Sequence, residues 1–420
     1  MSKNPRGNRP YFPRINRIEL SERNVRARWV LLAVFLAIAA VSIGYGLNTV
    51  INTQPGWNEI AVVSDQPNCS SEFKLVYDFS ETGRDALSVE KKLKEVYVTA
   101  CEDAFALFTT DAELDRQNNL QYLNNHINIP VSVDSVLYNA LELLSQHKNR
   151  SLFLAPVYAE YNRVFLSGSD EEAALHDPQK NPEVAEYVDS IMTYVCDPQH
   201  IRLELLGNNQ VQLYVSEMYR SFAEENGIEN YLDFGWLKNA FVVDYLADVL
   251  MEHGFTEGYL ASFDGFTRNL DQRGNFYTIN FFDRIENTIY LPAEVTYIGG
   301  NSIVCLRDYP LTAQDQWRYR VYEDGTISSV LLNPNTGWTS AATDSWMTMS
   351  NDSGCASMLL NMLDIYFAEE FTAEKVQTLA EQGIGSVWCE DRTVYSNIPN
   401  AQVTLLDTGV NAGYEIELVK

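Results

Sequence analysis

The chain has 420 residues, of which 46% are hydrophobic and 12% aromatic, and its formal net charge is −27. This length and apolar content suffice for a large folded domain and exclude a disordered stalk. The acidic balance excludes nucleic acid as a partner, because an acidic surface repels phosphates.

The first predicted element is a transmembrane helix over 29–51. This stretch has no charged side chain and is long enough to cross about 30 Å of hydrocarbon. Residues 1–28 contain eight basic and two acidic residues, so we expect a cytoplasmic tail and an extracytoplasmic main domain at the cell membrane. The alternative is a cleaved signal peptide. The apolar run is long for a signal peptide, however, and no clean A-x-A site follows it.

A juxtamembrane linker and lead-in are predicted over 52–87, followed by an extracytoplasmic domain over 88–420. Asp134 is placed to cap a helix, and the polar stretch 167–182 predicts a loop. Apolar residues at helical spacing predict helices over 88–108, 134–147 and 183–195.

The second half of the chain mixes strands, hairpins and helices. Alternating apolar residues predict a hairpin of 202–206 with 211–215, and a second of 317–322 with 326–332. The stretch 231–255 predicts a strand end, a turn and a helix. Further strands are expected over 257–263, 275–282, 287–298, 302–306 and 344–350, with helices over 354–368 and 372–383 and a strand-rich tail from 385. This mixture predicts an α+β fold.

Common catalytic and metal-binding motifs are absent from the sequence. The five histidines have no ligand spacing, and neither a G-x-S-x-G elbow nor a Walker A motif occurs. The cysteines all follow the apolar segment, which permits disulfides, although buried free thiols fit the wide spacing equally well. They are Cys69, Cys101, Cys196, Cys305, Cys355 and Cys389.

A resemblance begins at 233–255 (DFGWLKNAFVVDYLADVLMEHGF). This segment is similar to the signature of the ApbE family, the FAD:protein FMN transferases, which show D-x-G-G-x-x-K-G-x-x-x-D at the start of a helix. Asp233, Gly235 and Asp244 stand at matching places. Other segments of this chain resemble further sequence blocks of the family, in the same order. These segments are 106–119, 129–147, 259–266, 333–337, 345–350 and the helix from Gly354. The resemblance therefore implies an ApbE-like mixed α/β domain behind one N-terminal transmembrane helix.

In this family a divalent cation polarises the FAD diphosphate, and a threonine hydroxyl of a target protein attacks it. The resemblance implies FAD and magnesium as cofactors. The metal-ligand positions fall on Ser357 and Asn361. The cofactor-binding positions fall on Asp233, Gly235, Lys238, Asn239, Asp264, Gly265, Asn333, Thr336 and Gly337.

The chain departs from the family pattern at most of these positions. In the first block, D-x-G-G-x-x-K-G, this chain has Trp236 at the position of the second Gly. It has Asn239 at the position of the Lys, next to Lys238, and Ala240 at the position of the following Gly. In the segment 259–266 the family has a strand that ends in G-G-D or G-G-N. Asp264 replaces one of these glycines and would bring negative charge close to a phosphate of the ligand. Phe266 replaces the acidic or amide residue of that block.

Downstream, the family's His falls at Val330 and its Asp at Asn333. Ser357 and Asn361 offer neutral oxygens, which bind magnesium more weakly than carboxylates do. Asp352 or Asp364 would serve instead only if the backbone has moved.

Each candidate also has a structural interpretation. Trp236 and Phe266 are better interpreted as core aromatics than as platforms that stack on a flavin. Asp233 fits a helix cap, Lys238 fits a solvated helix surface, and 333–337 has the composition of an ordinary turn.

We expect a degenerate ApbE-like protein that binds an exported or membrane protein partner or a small ligand, and we assign no catalytic residue. The alternative is an active magnesium-dependent FAD:protein FMN transferase that modifies exported proteins. A third option is a structural protein of the cell envelope without a ligand.

Overall fold

A computed structural model describes residues 56–82, 85–114, 118–312, 315 and 317–419. The predicted tail and transmembrane helix lie outside the described residues. Within the described residues, no helix is both long and apolar enough to cross a membrane. Pro55–Lys420 forms one compact unit.

Helices are numbered here in chain order. They are α1 (Ala86–Phe108), α2 (Leu120–Asn125), α3 (Ser135–Gln146), α4 (Ala155–Leu166), α5 (Asp170–Ala174), α6 (Pro182–Val195), α7 (Glu217–Asn226), α8 (Lys238–Glu252), α9 (Cys355–Tyr366), α10 (Ala373–Ala380) and α11 (Asp407–Asn411). Short 3₁₀ turns cover Ser70–Glu72, Ser151–Leu154 and Gly235–Leu237.

The strands, also in chain order, are β1 (Trp57–Glu59), β2 (Phe73–Asp78), β3 (Val131–Ser132), β4 (Ile201–Gly207), β5 (Gln210–Val215), β6 (Gly258–Ser262), β7 (Phe266–Asn269), β8 (Phe276–Ile285), β9 (Thr288–Ile298), β10 (Ser302–Arg307), β11 (Tyr319–Val321), β12 (Ile327–Ser329), β13 (Ser345–Ser350), β14 (Gly385–Glu390), β15 (Thr393–Ser396), β16 (Gln402–Leu405) and β17 (Glu415–Leu418).

A nine-stranded sheet lies at the centre of the domain, in the order β1-β2-β6-β7-β10-β13-β14-β15-β17. Its described pairs are antiparallel except β15 with β17. Helices α8, α9 and α10 pack on one face, and the sheet β16-β9-β8 packs on the other. Side chains alternate between the faces, so Val304 joins the helical core while Ile303 joins the core beneath β8 and β9.

The predicted α+β class is confirmed as a mixed fold with mainly antiparallel pairing. The predicted helices and both hairpins are present, with bounds shifted by a few residues. Asp134 caps α3, because its Oδ1 accepts a hydrogen bond of 2.8 Å from the backbone N–H of Val136. The hairpin loop of β4 and β5 contains Asn208 and Asn209, both at positive φ, as expected for such a turn.

Other predictions need correction. The lead-in predicted over 52–87 contributes β1 and β2 to the central sheet, so the folded domain extends N-terminal of residue 88. The predicted loop 167–182 contains α5, whose first turn is capped by the Ser169 hydroxyl. Sequence periodicity did not identify β7, because a strand of four residues that contains Arg268 and Asn269 shows no apolar alternation.

Asp244 joins α8 to the sheet and to the start of α9. Its Oδ1 and Oδ2 each accept a 2.9 Å hydrogen bond from the first backbone N–H groups of α9, those of Cys355 and Ala356. Arg268 in β7 donates to the same Oδ1 at 2.7 Å. A Cβ on Gly354 would lie 2.5 Å from Asp244 Oδ2, so this approach requires glycine.

Replacing Asp244 by alanine should destabilise the protein by about 3 kcal/mol, because it leaves Arg268 and the start of α9 without their acceptor. The measurement is the free energy of unfolding in denaturant. Asp248→Ala is the matched control, because Asp248 also contacts Arg268, at 3.4 Å, but its side chain is 61% exposed. That change should cost less than about 1 kcal/mol. Equal losses for the two variants would contradict the assigned role of Asp244.

Candidate functional site

A cavity of about 280 Å³ lies beside the first turn of α8, and we call it the central cavity. Aromatic side chains of α1, α4 and the 235–237 turn form much of its wall, and acidic and basic groups lie among them. Its principal polar or charged lining residues are Glu72, Thr109, Thr110, Asp111, Asn162, Asp233, Lys238, Asn239, Asp264 and Arg318.

Asp233 and Gly235 form the turn that leads into α8. Asp233 Oδ1 accepts a 2.7 Å hydrogen bond from the Gly235 N–H, and Oδ2 accepts one of 3.4 Å from the Thr110 hydroxyl. Burial raises the pKa of Asp233, although these hydrogen bonds and the nearby Lys238 lower it in part. The structure does not show Asp233 as the cap of α8, because the residue before that helix is Leu237 and no side chain caps it. Asp233 instead closes the turn that precedes the helix.

Two constraints require glycine at position 235. Its φ is +52°, and a Cβ would lie 2.3 Å from the ring of Tyr158, a buried residue of α4. The ring of Trp236 follows directly, lines the central cavity and is 6% exposed. It packs against Phe367 with 6.1 Å between ring centroids, so the tryptophan at a family glycine position occupies the cavity wall.

Lys238 forms an ion pair with Glu72 across the central cavity. The distance from Lys238 Nζ to Glu72 Oε1 is 2.9 Å, and each side chain is 33% exposed. Burial lowers the pKa of Lys238, but the charge and hydrogen bond of Glu72 raise it by more, so the lysine stays protonated. Its charge is therefore engaged by the chain's own carboxylate.

Asp264 and Asn239, both predicted as cofactor-binding residues, are in direct contact. Asn239 Nδ2 donates to Asp264 Oδ2 at 3.1 Å, and the buried Arg318 donates to the backbone carbonyl of Asp264 at 3.1 Å. Burial raises the pKa of Asp264, while the positive charge of Arg318 lowers it in part. Among the described residues, Asp264 Oδ1, Asn239 Oδ1 and Arg318 Nε have no hydrogen-bond partner. Unpaired buried polar atoms are costly and are typical of a site shaped by function.

Gly265 and Phe266 have structural roles. Gly265 has φ +109°, and a Cβ would lie 2.3 Å from the backbone oxygen of Cys305 on the neighbouring strand β10. Gly265 lines a different cleft, below β8, rather than the central cavity. Phe266 is fully buried in the core, in agreement with its structural interpretation.

Asn333, Thr336 and Gly337 lie away from the central cavity. Asn333 and Thr336 line a shallow cleft against α6. Asn333 Oδ1 accepts from the backbone of Asn335, and Gly337 has φ +73° with Met192 Sδ 2.9 Å from its Cβ position. These residues form the ordinary turn that their composition also predicted.

Ser357 and Asn361, the predicted metal-ligand positions, both lie on α9 and line none of the cavities described above. Asn361 Nδ2 donates to the backbone carbonyl of Ser357 at 2.9 Å, so its side chain folds onto its own helix. Asp352 and Asp364, the possible substitutes, are exposed. Across the described part of the chain, no three His, Cys, Asp or Glu side chains gather closely enough to hold a metal ion.

The sequence patterns did not identify three residues that line the central cavity, namely Glu72, Arg318 and Tyr158. Glu72 lies in the predicted lead-in, and Arg318 lies in a predicted hairpin strand to which no functional role was assigned. Val330, at the family's His position, does line the central cavity, as do Thr109, Thr110 and Asp111 from the resembling segment 106–119. Three separated segments of the resemblance, 106–119, 233–255 and 259–266, therefore meet at one site together with Val330.

The fold is similar to that of the ApbE protein from Thermotoga maritima, with 12% sequence identity over 80% of this chain and 94% of that one, and a TM-score of 0.51. Two other similar structures are a mutant of the flavin transferase ApbE from Vibrio cholerae (12% identity, 81% and 94% coverage, TM-score 0.46) and the apo form of the flavinyl transferase ApbE from Pseudomonas stutzeri (12%, 84% and 95%, TM-score 0.47). No family model and no curated protein matches the sequence. The chain has an ApbE-like fold, and at this identity the likeness concerns the fold alone.

Replacing Gly235 by alanine should destabilise the protein by about 3 kcal/mol, because the change combines an unfavourable positive φ with a clash against Tyr158. Gly227→Ala is the control, since Gly227 has φ +66° and open space around its Cβ position. It should cost about 1 kcal/mol. Both values come from denaturant unfolding, and a Gly235 variant no worse than the control would contradict the packing argument.

Replacing Asp264 by asparagine should raise the melting temperature at pH 7. The folded-state pKa of Asp264 lies above its unfolded value, so its stabilising contribution is complete below the unfolded pKa and is lost as pH rises through the folded pKa. At pH 7 ionisation of this carboxylate therefore favours the unfolded chain over the folded protein, and asparagine removes that difference. The gain should vanish below about pH 4, where the aspartate is also protonated in the unfolded chain.

The control for this experiment is Asp111→Asn, an exposed carboxylate of the same cavity. It should change stability by less than about 0.5 kcal/mol at either pH. A loss of stability in Asp264→Asn at pH 7 would show that the charged form of Asp264 is the stabilising one.

Proposed function

We propose that the protein is a membrane-anchored, extracytoplasmic ApbE-like protein that binds a small ligand or a protein partner and does not transfer FMN. The ApbE-like fold supports a relationship to flavin transferases at the level of the fold. The apolar stretch 29–51 and the basic tail before it support the anchor and its orientation.

The charge of the central cavity is the observation that carries this proposal. Four carboxylates line it, those of Glu72, Asp111, Asp233 and Asp264, against the two cations Lys238 and Arg318. Lys238 is paired with Glu72, and Arg318 donates to the backbone of Asp264. A diphosphate entering this cavity would meet more carboxylates than cations, and repulsion from the buried Asp264 and the partly buried Asp233 is weakly screened.

Magnesium would offset that repulsion, but the residues present do not fit it. Ser357 and Asn361 are neutral, lie outside the central cavity, and one of them is bonded within its own helix. Magnesium sites normally use at least one carboxylate with octahedral geometry. We therefore derive no catalytic step through FAD or magnesium.

The size of the central cavity also favours a compact ligand. Its volume of about 280 Å³ lies just below the range for small-molecule sites, roughly 300–1,000 Å³. FAD is a dinucleotide and needs space toward the upper end of that range. Trp236, at a family glycine position, fills part of the wall.

The alternative remains an active magnesium-dependent FAD:protein FMN transferase. The convergence of three resembling segments and Val330 at the central cavity favours this alternative. An active transferase would require metal ligands other than Ser357 and Asn361. It would also require a central cavity that opens beyond the observed volume.

Flavin fluorescence of the full-length protein in detergent, titrated with FAD, separates the two functions. We expect no saturable binding up to about 1 mM FAD, with or without magnesium, a concentration at which even a site of about 4 kcal/mol is half filled. Saturable, magnesium-dependent binding would contradict the proposal and support the transferase.

The matched variant for the titration carries Glu72→Gln and Asp264→Asn, which together remove two negative charges from the central cavity. If charge is the obstacle, any residual FAD signal should be stronger in this variant than in the wild-type protein. A weaker signal would mean that these carboxylates assist flavin binding, contrary to the proposal.

A further inference from the structure

Two buried cysteines are in contact at the edge of the central cavity. Cys69 precedes the 3₁₀ turn Ser70–Glu72, and Cys101 lies in α1. The Cys69 backbone N–H donates to the Cys101 carbonyl at 3.3 Å, and the Cys69 thiol lies 3.4 Å from the same oxygen. Cys69 is 3% exposed and Cys101 is 0% exposed.

This spacing suits a covalent bond. The Cys69 N–H and the Cys69 thiol both contact the Cys101 carbonyl, so the two residues are direct neighbours, as a disulfide requires with its Cα atoms about 4.4–6.8 Å apart. A hydrogen bond between the two thiols, together with burial, raises the pKa of Cys101.

We propose that Cys69 and Cys101 form a disulfide when the chain folds in an oxidising compartment. The two thiols lose two protons and two electrons by exchange with an oxidised disulfide, such as oxidised glutathione or a thiol–disulfide oxidoreductase. That oxidant is reduced to two thiols. Because both sulfurs are buried in the folded protein, exchange occurs during folding. In the cell, the inference rests on the extracytoplasmic location proposed above.

The bond would fix one wall of the central cavity. Cys69 lines the cavity, and Glu72, three residues further on, holds Lys238. The disulfide would tie the turn that carries Glu72 to α1. It would also close a loop of about thirty residues, which restricts the unfolded chain.

The other cysteines supply internal controls. Cys355 Sγ donates to the backbone carbonyl of Thr267 at 3.3 Å, and Cys196 is exposed beside Asn335. After alkylation under denaturing conditions, Cys196, Cys305, Cys355 and Cys389 should therefore carry the label.

The experiment is cell-free synthesis of the full-length protein into nanodiscs, with oxidised glutathione or with dithiothreitol, followed by alkylation and peptide mapping. We expect a linked peptide that joins Cys69 to Cys101 in the first sample and free thiols in the second. The oxidised protein should melt about 5 °C or more above the reduced one. Cys69→Ser should abolish this difference, whereas Cys196→Ser should retain it.

Free Cys69 and Cys101 thiols in the glutathione sample would overturn the inference. The same peptide map is then made from native membranes that are alkylated at lysis. A linked peptide there supports both the bond and the outward location. If the disulfide forms in nanodiscs but both thiols stay free in cells, the proposed extracytoplasmic location is wrong. The pairing of the two cysteines would still be supported.

Discussion

The carboxylate of Asp244 lies where three elements of the domain meet. It accepts hydrogen bonds from the start of α9 and from Arg268 in β7, while its own backbone belongs to α8. A helix start provides free N–H groups that favour negative charge, so one acid both caps a helix and neutralises an arginine. The orientation of α8 on the sheet depends on this contact. The position of the central cavity depends in turn on α8, because Lys238 and Asn239 stand in its first turn.

Around this frame the central cavity is lined by turns that require glycine or lie beside such turns, and by charged side chains. Glycine survives at 235 and 265 for reasons internal to the fold, namely the ring of Tyr158 and the backbone of Cys305. These glycines therefore do not argue for a bound nucleotide. The lysine of the cavity is already engaged by Glu72, and three further carboxylates line the wall. Such a site is better suited to a small ligand or a structural role than to a diphosphate.

Much of the fold could be predicted from the sequence, because long helices and hairpins have strong local signals. Helix α3 with its cap Asp134 and the hairpin of β4 and β5 are examples. Strand β2 was missed because polar residues around it indicate a linker, although five of its six residues are buried. At the site, the resemblance grouped Asp233, Lys238, Asn239 and Asp264, and all four line the central cavity, while their predicted role in cofactor binding stays a prediction. It did not separate them from Asn333 and Thr336, because turn composition does not specify which cleft a turn faces. Glu72 and Arg318 were missed since their partners are distant in sequence.

The most direct test of the central claim is transfer itself. The purified full-length protein is incubated with FAD, magnesium and a membrane extract from cells that lack it, and the proteins are separated under denaturing conditions and examined for covalently bound flavin fluorescence. If the family fold persists without the family chemistry, no fluorescent protein band should appear beyond those of the untreated extract. A new band that requires both the protein and magnesium would contradict this account and identify the chain as an active flavin transferase.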